Sequence, residues 1–205
     1  RWMLTLMEMF QVRIWYDYNI PFFNILIGII LIAFSASMVV HILSIERTTH
    51  CILVGAMMEV FPPVTSMFFF TYTVPHYALA IFMTVLSTCV CNKKWYGFAS
   101  AIVLLACSLG IYQAYLPIAA GLFILMIIAE VFQTEEKDVW TVVKKGIRYV
   151  MVLGFGVALY LALNSFFLKL WDIQLSNYRG MNEMGTLSFG KILASCKNTY
   201  LNTLF

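Results

Sequence analysis

The residues able to do chemistry in this sequence are few, and they gather in three places. Tyr72, Thr73, His76 and Tyr77 fall within one short stretch, and Tyr112, Gln113 and Tyr115 within another. Tyrosine offers a flat apolar ring with a hydroxyl, and glutamine both donates and accepts, so the two together suit a sugar. A plain aromatic belt accounts for the tyrosines equally well, but less well for Gln113 and His76. Glu59 stands alone in an otherwise uncharged run, one turn before Pro62-Pro63. A carboxyl group there either faces an internal cavity or, protonated, hydrogen-bonds a carbonyl freed where the prolines disrupt the helix. His41 and His50 read as structural, and their separation is not that of metal ligands. The motifs of soluble enzymes are missing: there is no phosphate-cradling glycine loop, no His-x-x-x-His pair and no Gly-x-Ser-x-Gly.

The elements that must position these residues follow from composition. The chain has 205 residues, 62% hydrophobic and 11% charged, with a mean hydropathy of +0.86. Soluble domains carry about 25% charge. So little charge cannot cover a water-facing surface, which excludes a soluble globular domain and a disordered chain. The net charge of +3 comes without a basic tract, so nucleic acid is not a partner. The five cysteines form no disulfide framework; Cys51, Cys89, Cys91 and Cys107 read as small apolar core residues. The remaining class is an all-α, polytopic transmembrane bundle.

A spanning helix needs about 20 apolar residues. Residues 22–45 supply one. Residues 51–92 would make a single helix ~63 Å long, twice the ~30 Å hydrocarbon core, so they divide into 51–72 and 75–92 at Pro75. Residues 95–133 divide likewise into 96–112 and 116–133, turning at Gly110–Pro117. A sixth span covers 147–168, after a charged connector at 134–146. Seven of the thirteen basic residues (Arg47, Lys93, Lys94, Lys137, Lys144, Lys145 and Arg148) lie in loops on one side, and the short opposite turns carry none. The excess of Lys and Arg marks the cytoplasmic side. Tyr72, Thr73, His76, Tyr77, Tyr112, Gln113 and Tyr115 then lie toward the outside, with segments 1–21 and 169–205, and the two turns together are expected to form one floor of an outward-facing site.

Both outer segments carry interfacial signatures. Trp2, Trp15, Tyr16 and Tyr18 sit among scattered charges, as in a helix with its rings at headgroup level. Phe189, Ile192, Leu193, Cys196, Tyr200 and Leu204 recur at helical spacing, predicting a second amphipathic segment. The chain starts at Arg1 without an initiator methionine, and it reads as a piece of a longer polytopic protein.

The run Ser108-Leu109-Gly110-Ile111-Tyr112-Gln113-Ala114-Tyr115 resembles a hallmark of the bacterial serotype-converting O-antigen glucosyltransferases, the type II glucosyl transferase family. Arg1-Trp2 is similar to that family's Gly-Arg-Trp motif, short by one residue, and Asn177-Tyr178-Arg179-Gly180, with Met184-Gly185 and Tyr200, to its post-membrane region. The resemblance implies a multi-spanning glycosyltransferase of the GT-C type in the bacterial cytoplasmic (inner) membrane, active on its outer face. It implies a polyprenyl-phosphate-linked sugar, typically glucose, as donor and a cell-envelope glycan as acceptor. It further implies a catalytic acidic residue in an external loop ahead of Arg1, so that no catalytic residue is assigned within this chain. Arg1, Arg13 and Arg179 are the external arginines available for the leaving phosphate, which a guanidinium binds bidentately. Membrane lipid and the apolar faces between spans complete the donor's surroundings. The sequence leaves open whether a divalent metal takes part, and holds no ligand cluster for one. Two alternatives remain: a transporter or flippase that uses Glu59 beside a broken helix, and a non-catalytic membrane scaffold.

Overall fold

In a computed structural model of the chain, the described residues are 1–15, 20–133 and 139–172, and they are helical with no strand among them. The chain divides into a compact unit of residues 1–168 and a second of 169–205, of which 169–172 are described. Eight α-helices follow in order: α1 (Trp2–Trp15), α2 (Pro21–Ile42), α3 (Thr48–Val60), α4 (Pro62–Met67), α5 (Val74–Val90), α6 (Trp95–Ile111), α7 (Leu116–Gln133) and α8 (Val139–Leu170). A single 3₁₀ turn, Gln113–Tyr115, joins α6 to α7.

The all-helical architecture is as expected, but the count of six spans is not confirmed. Among the described residues three helical stretches are long and apolar enough to cross a bilayer: Pro21–Ile42, Gln113–Phe132 and Trp140–Leu170. Stretch 51–72 does not form one helix. Pro62 and Pro63 lack the backbone N–H that would continue α3, so the chain extends at Phe61 (ψ 127°) and restarts as the six-residue α4. At 13 residues α3 is ~20 Å long, short of the ~30 Å core. Helices α5 and α6 have 17 residues each, at the lower limit of a span. The sixth helix starts earlier than residue 147. Nothing between Val139 and Gly146 breaks a helix, so part of the expected connector is the first two turns of α8.

Helix α5 is the centre of the bundle and packs on α2, α6 and α7. Apart from His76, its buried side chains are small or β-branched, among them Ala78, Ala80, Thr84, Val85, Ser87 and Thr88. Small residues let neighbouring backbones approach in a membrane interior. Hydroxyls there must bond to protein. Ser108 Oγ meets Thr84 Oγ1 at 2.7 Å and donates to the Ala80 carbonyl at 2.8 Å, while Ser87 Oγ donates to the Ala101 carbonyl at 2.9 Å. On the α2 side Gly28 makes the approach possible, since a Cβ there would fall 2.4 Å from Val74 Cγ1. Outward-facing residues of α2, such as Phe22, Ile29, Ile30 and Phe34, stay exposed, as lipid-facing side chains do.

Two ends result. Gly28 meets Val74 at the starts of α2 and α5, Val39, Val85 and Leu122 share a cluster further along, and Ile42, Asn92 and Glu130 line one cavity at the far ends, so α2, α5 and α7 run the same way. Their C-terminal turns meet the first turns of α8, and Arg148 there donates to the carbonyls of Lys93 and Lys94. Lys93, Lys94, Lys145 and Arg148, assigned to one side from the sequence, therefore lie at one end. The other end holds the start of α1, the first turn of α5 and the α6–α7 turn. Segment 1–21 is more than an interfacial helix. Trp2 and Leu4 are buried against the bundle, whereas Met9, Phe10 and Val12 further along are exposed. Leu4 packs with Ala80 and Ile111, and this buried contact ties α1 down.

Candidate functional site

The first turn of α1 reaches the bundle because Gly110 has no side chain. A Cβ at Gly110 would sit 2.7 Å from the Trp2 ring and 2.8 Å from Met3 Cβ. The other face of Trp2 stacks on Phe167, with centroids 5.2 Å apart and planes within 6°. Trp2 is thus clamped between the end of α6 and the end of α8, and Arg1 is held just beyond it.

Arg1 enters a cluster of tyrosines. Its Nη1 donates to Tyr77 Oη at 3.3 Å, and its guanidinium carbon lies 5.2 Å from the Tyr112 ring centroid. Tyr77 and Tyr112 lie 5.3 Å apart, and Tyr112 meets Tyr115 edge-on at 5.2 Å. The three rings come from different elements: Tyr77 from the first turn of α5, Tyr112 from the end of α6, Tyr115 from the 3₁₀ turn. That turn matters, because Tyr112 adopts an extended backbone (φ −149°, ψ 114°) between two helices. The cation–π contact is worth about 0.5–2 kcal/mol, more as water is excluded. Among the described residues Arg1 forms no ion pair, so its charge is balanced by ring faces and one hydroxyl.

The remaining candidate residues are distributed around this cluster. Gln113 turns away from it and donates through Nε2 to Tyr160 Oη of α8. His76, only 5% exposed, points to the other side of α5. There it lines a cavity of about 370 Å³ between α1, α2 and α5, with Gln11, Asn24, Ile27 and Leu79. Its Nδ1 makes no hydrogen bond with the described residues at ordinary distance. Tyr72 tilts toward it, ring centroids 6.5 Å apart. The expected single floor therefore resolves into a tyrosine cluster holding Arg1 and a mainly apolar cavity holding His76. Glu59 joins neither. It lies in the last turn of α3, and its neighbour Met58 packs on the Ile32 and Val39 clusters instead. Arg179 lies outside the described residues, as do Tyr16, Tyr18, Lys137 and the amphipathic segment 188–205. No three His, Cys, Asp or Glu side chains among the described residues come together as a metal site.

Four residues of this end escape a reading of spacing alone. Tyr160 looks like any belt aromatic until Gln113 is seen to bond it. Phe167 is one of several apolar residues at the end of α8. Asn24 and Gln11 carried a weak signal, as polar residues among apolar ones.

The family follows from the chain as a whole: residues 1–205 match the family described as Glucosyl transferase GtrII. The chain belongs to the GtrII glucosyl transferase family. No curated protein and no solved structure gives a significant match. The family is one of membrane glucosyltransferases in O-antigen modification, which agrees with the apolar helices of this chain. Two of the segments that carry the resemblance meet in space. Arg1-Trp2 packs directly on Gly110 and Tyr112, more than a hundred residues later in the chain.

Proposed function

We propose that this GtrII protein transfers glucose from a polyprenyl-phosphate carrier to an O-antigen glycan, at the outer face of the bacterial inner membrane, as a GT-C-type enzyme. The observation that supports this reading best is the Arg1 guanidinium over Tyr112 and against Tyr77, at the end of the bundle away from Lys93, Lys94, Lys145 and Arg148. The basic end is the cytoplasmic one by the distribution of Lys and Arg, which makes the tyrosine end external. A guanidinium without a carboxylate partner among the described residues is suited to a phosphate, and tyrosine rings to the faces of a sugar.

In the proposed reaction an acceptor hydroxyl oxygen bonds to the sugar's anomeric carbon. The bond from that carbon to the phosphate oxygen breaks, and the polyprenyl phosphate leaves with the electron pair. A general base takes the hydroxyl proton; the resemblance assigns this to an acidic residue ahead of Arg1. Arg1 steadies the charge that grows on the leaving phosphate. The cavity between α1, α2 and α5 supplies an apolar wall for isoprene units, with His76 and Asn24 as its polar groups. Glu59, apart from both regions, has no step in this scheme.

The test supplies the full-length protein in membrane vesicles with polyprenyl-phosphate-glucose labelled in the sugar, and with labelled UDP-glucose in a parallel sample. Label should pass to the glycan from the lipid-linked donor alone. Transfer from UDP-glucose without the carrier lipid would overturn the donor assignment. Full transfer after Arg1→Ala would overturn the role of Arg1.

A further inference from the structure

At the end of the bundle opposite Arg1, a cavity of about 440 Å³ opens between the last turns of α2, α5 and α7 and the start of α8. Small-molecule sites occupy ~300–1,000 Å³. The wall is mostly polar, formed by Asn92, Glu130, Lys145 and Tyr149 beside Ile42 and Met126. It carries both signs of charge side by side: Lys145 Nζ pairs with Glu130 Oε1, and both side chains remain partly exposed. Asn92 Nδ2 donates to Tyr149 Oη at 2.8 Å, which leaves the hydroxyl its own proton to give. The Tyr149 ring is fixed by stacking on Phe123, centroids 4.6 Å apart.

The depth of the cavity is marked by its neighbours. Trp140 is 61% exposed, and Lys144 Nζ lies 5.5 Å from its ring centroid. An exposed tryptophan with a lysine folded along it is the pattern of a membrane–water interface. Lys145 follows Trp140 by five residues, ~7.5 Å along the helix. The cavity thus opens near headgroup depth. Ile128 of α7 and Val143 and Ile147 of α8 expose apolar side chains on the adjoining turns, where acyl chains would lie.

We propose that this cavity binds the phosphoethanolamine headgroup of a phospholipid. The phosphate oxygens accept from the Lys145 ammonium and the Tyr149 hydroxyl, and the headgroup ammonium donates to Glu130. The ligand's two charges then replace, crosswise, the ion pair seen without it. An anionic headgroup such as phosphoglycerol satisfies Lys145 but sets a second negative charge against Glu130. Phosphocholine brings a cation that has no N–H to donate to the carboxylate. The wall therefore selects against both. The inference does not depend on the donor sugar or on the reaction at the other end.

Isothermal titration of the full-length protein in detergent tests it, using short-chain phosphatidylethanolamine, phosphatidylcholine and phosphatidylglycerol and free phosphoethanolamine. Phosphatidylethanolamine should bind at least about tenfold more tightly than the other two lipids, a difference of about 1.4 kcal/mol. Glu130→Gln should remove the preference over phosphatidylglycerol, and Lys145→Gln should weaken every phosphate-bearing lipid. Tyr149→Phe, which keeps the ring on Phe123, should weaken binding about three- to tenfold, as for one lost hydrogen bond. Equal binding of the three lipids, tighter binding of phosphatidylglycerol, or undiminished selectivity in Glu130→Gln overturns the proposal. Free phosphoethanolamine binding as tightly as the lipid would keep the headgroup chemistry and assign it a soluble source. The selectivity of the unaltered protein decides the matter even where a variant fails to fold.

Discussion

The two ends of the helix bundle hold their cations differently. At the basic end Lys145 and Arg148 have protein acceptors, although Lys144 and Arg148 also lie against the Trp140 and Phe98 rings. Lys145 pairs with Glu130, and Arg148 Nη2 donates to the Lys93 and Lys94 carbonyls at 2.6 and 3.2 Å, at the turn that follows α5. Arg148 thereby ties α8 to the turn between α5 and α6. At the tyrosine end Arg1 has, among the described residues, no such side-chain acceptor beyond one hydroxyl, and lies over a ring face. Ring faces attract a cation without neutralising it. Arg148 uses its charge to close the structure, whereas Arg1 meets no anion among the described residues.

Four experiments would break or sharpen this contrast. The largest effect belongs to Gly110→Leu. The new side chain meets Trp2 and Met3 at contact distances no side chain tolerates, and overpacking costs about 1–3 kcal/mol. Sugar transfer in membranes should fall to background, and protease cleavage within α1 should accelerate as Arg1 and Trp2 leave their places. Transfer at the unaltered rate would show that α1 is not positioned by α6. Next comes Arg1→Lys, which keeps the charge but loses the planar donor fork. It should cut the transfer rate about tenfold, equivalent to about 1.4 kcal/mol, with the melting temperature of the bundle unchanged. A third measurement is a double-mutant cycle on Gln113→Ala and Tyr160→Phe. Their coupling in stability should be about 0.5–1.5 kcal/mol, the value of one hydrogen bond; zero coupling would remove Gln113 from the contacts between α7 and α8. The smallest effect on transfer belongs to the basic end. Arg148→Gln should lower thermal stability by about 1.5–3 kcal/mol, the value of hydrogen bonds made by a charged group, while transfer per folded molecule stays within about twofold of the unaltered protein. A large loss of transfer at constant stability would erase the distinction between the ends.

Some of this was legible in the sequence. The paired runs around Pro75 and Gly110–Pro117 predicted helix–turn–helix pieces, and helices begin at Val74 and Leu116 beside those prolines. Gly110, Tyr112 and Tyr115 were visible as a motif, and Arg1 as an available cation. The interruption at Phe61 was signalled by Pro62-Pro63, but its result was not. A disrupted helix can kink and continue, or stop short, and here α3 stops and α4 lasts six residues. His76 and Tyr77 are neighbours in sequence and were assigned to one floor. On a helix, consecutive residues point about 100° apart, so Tyr77 joins Arg1 while His76 faces α1 and α2.

What the sequence by itself determined was the solvent and the segregation of basic residues. With 11% charge the chain must be surrounded by lipid, and the placement of its basic residues separates one end from the other. Neither conclusion needs a contact, because the cost of charge in hydrocarbon acts on each residue separately. The tertiary structure alone decided which polar groups meet. Arg1 and Tyr112 are 111 positions apart in the chain, and Gln113 and Tyr160 are 47 apart. Their meeting depends on the missing side chain of Gly110, the stack of Trp2 on Phe167, and the extended backbone at Tyr112. These are properties of packing, which periodicity does not record.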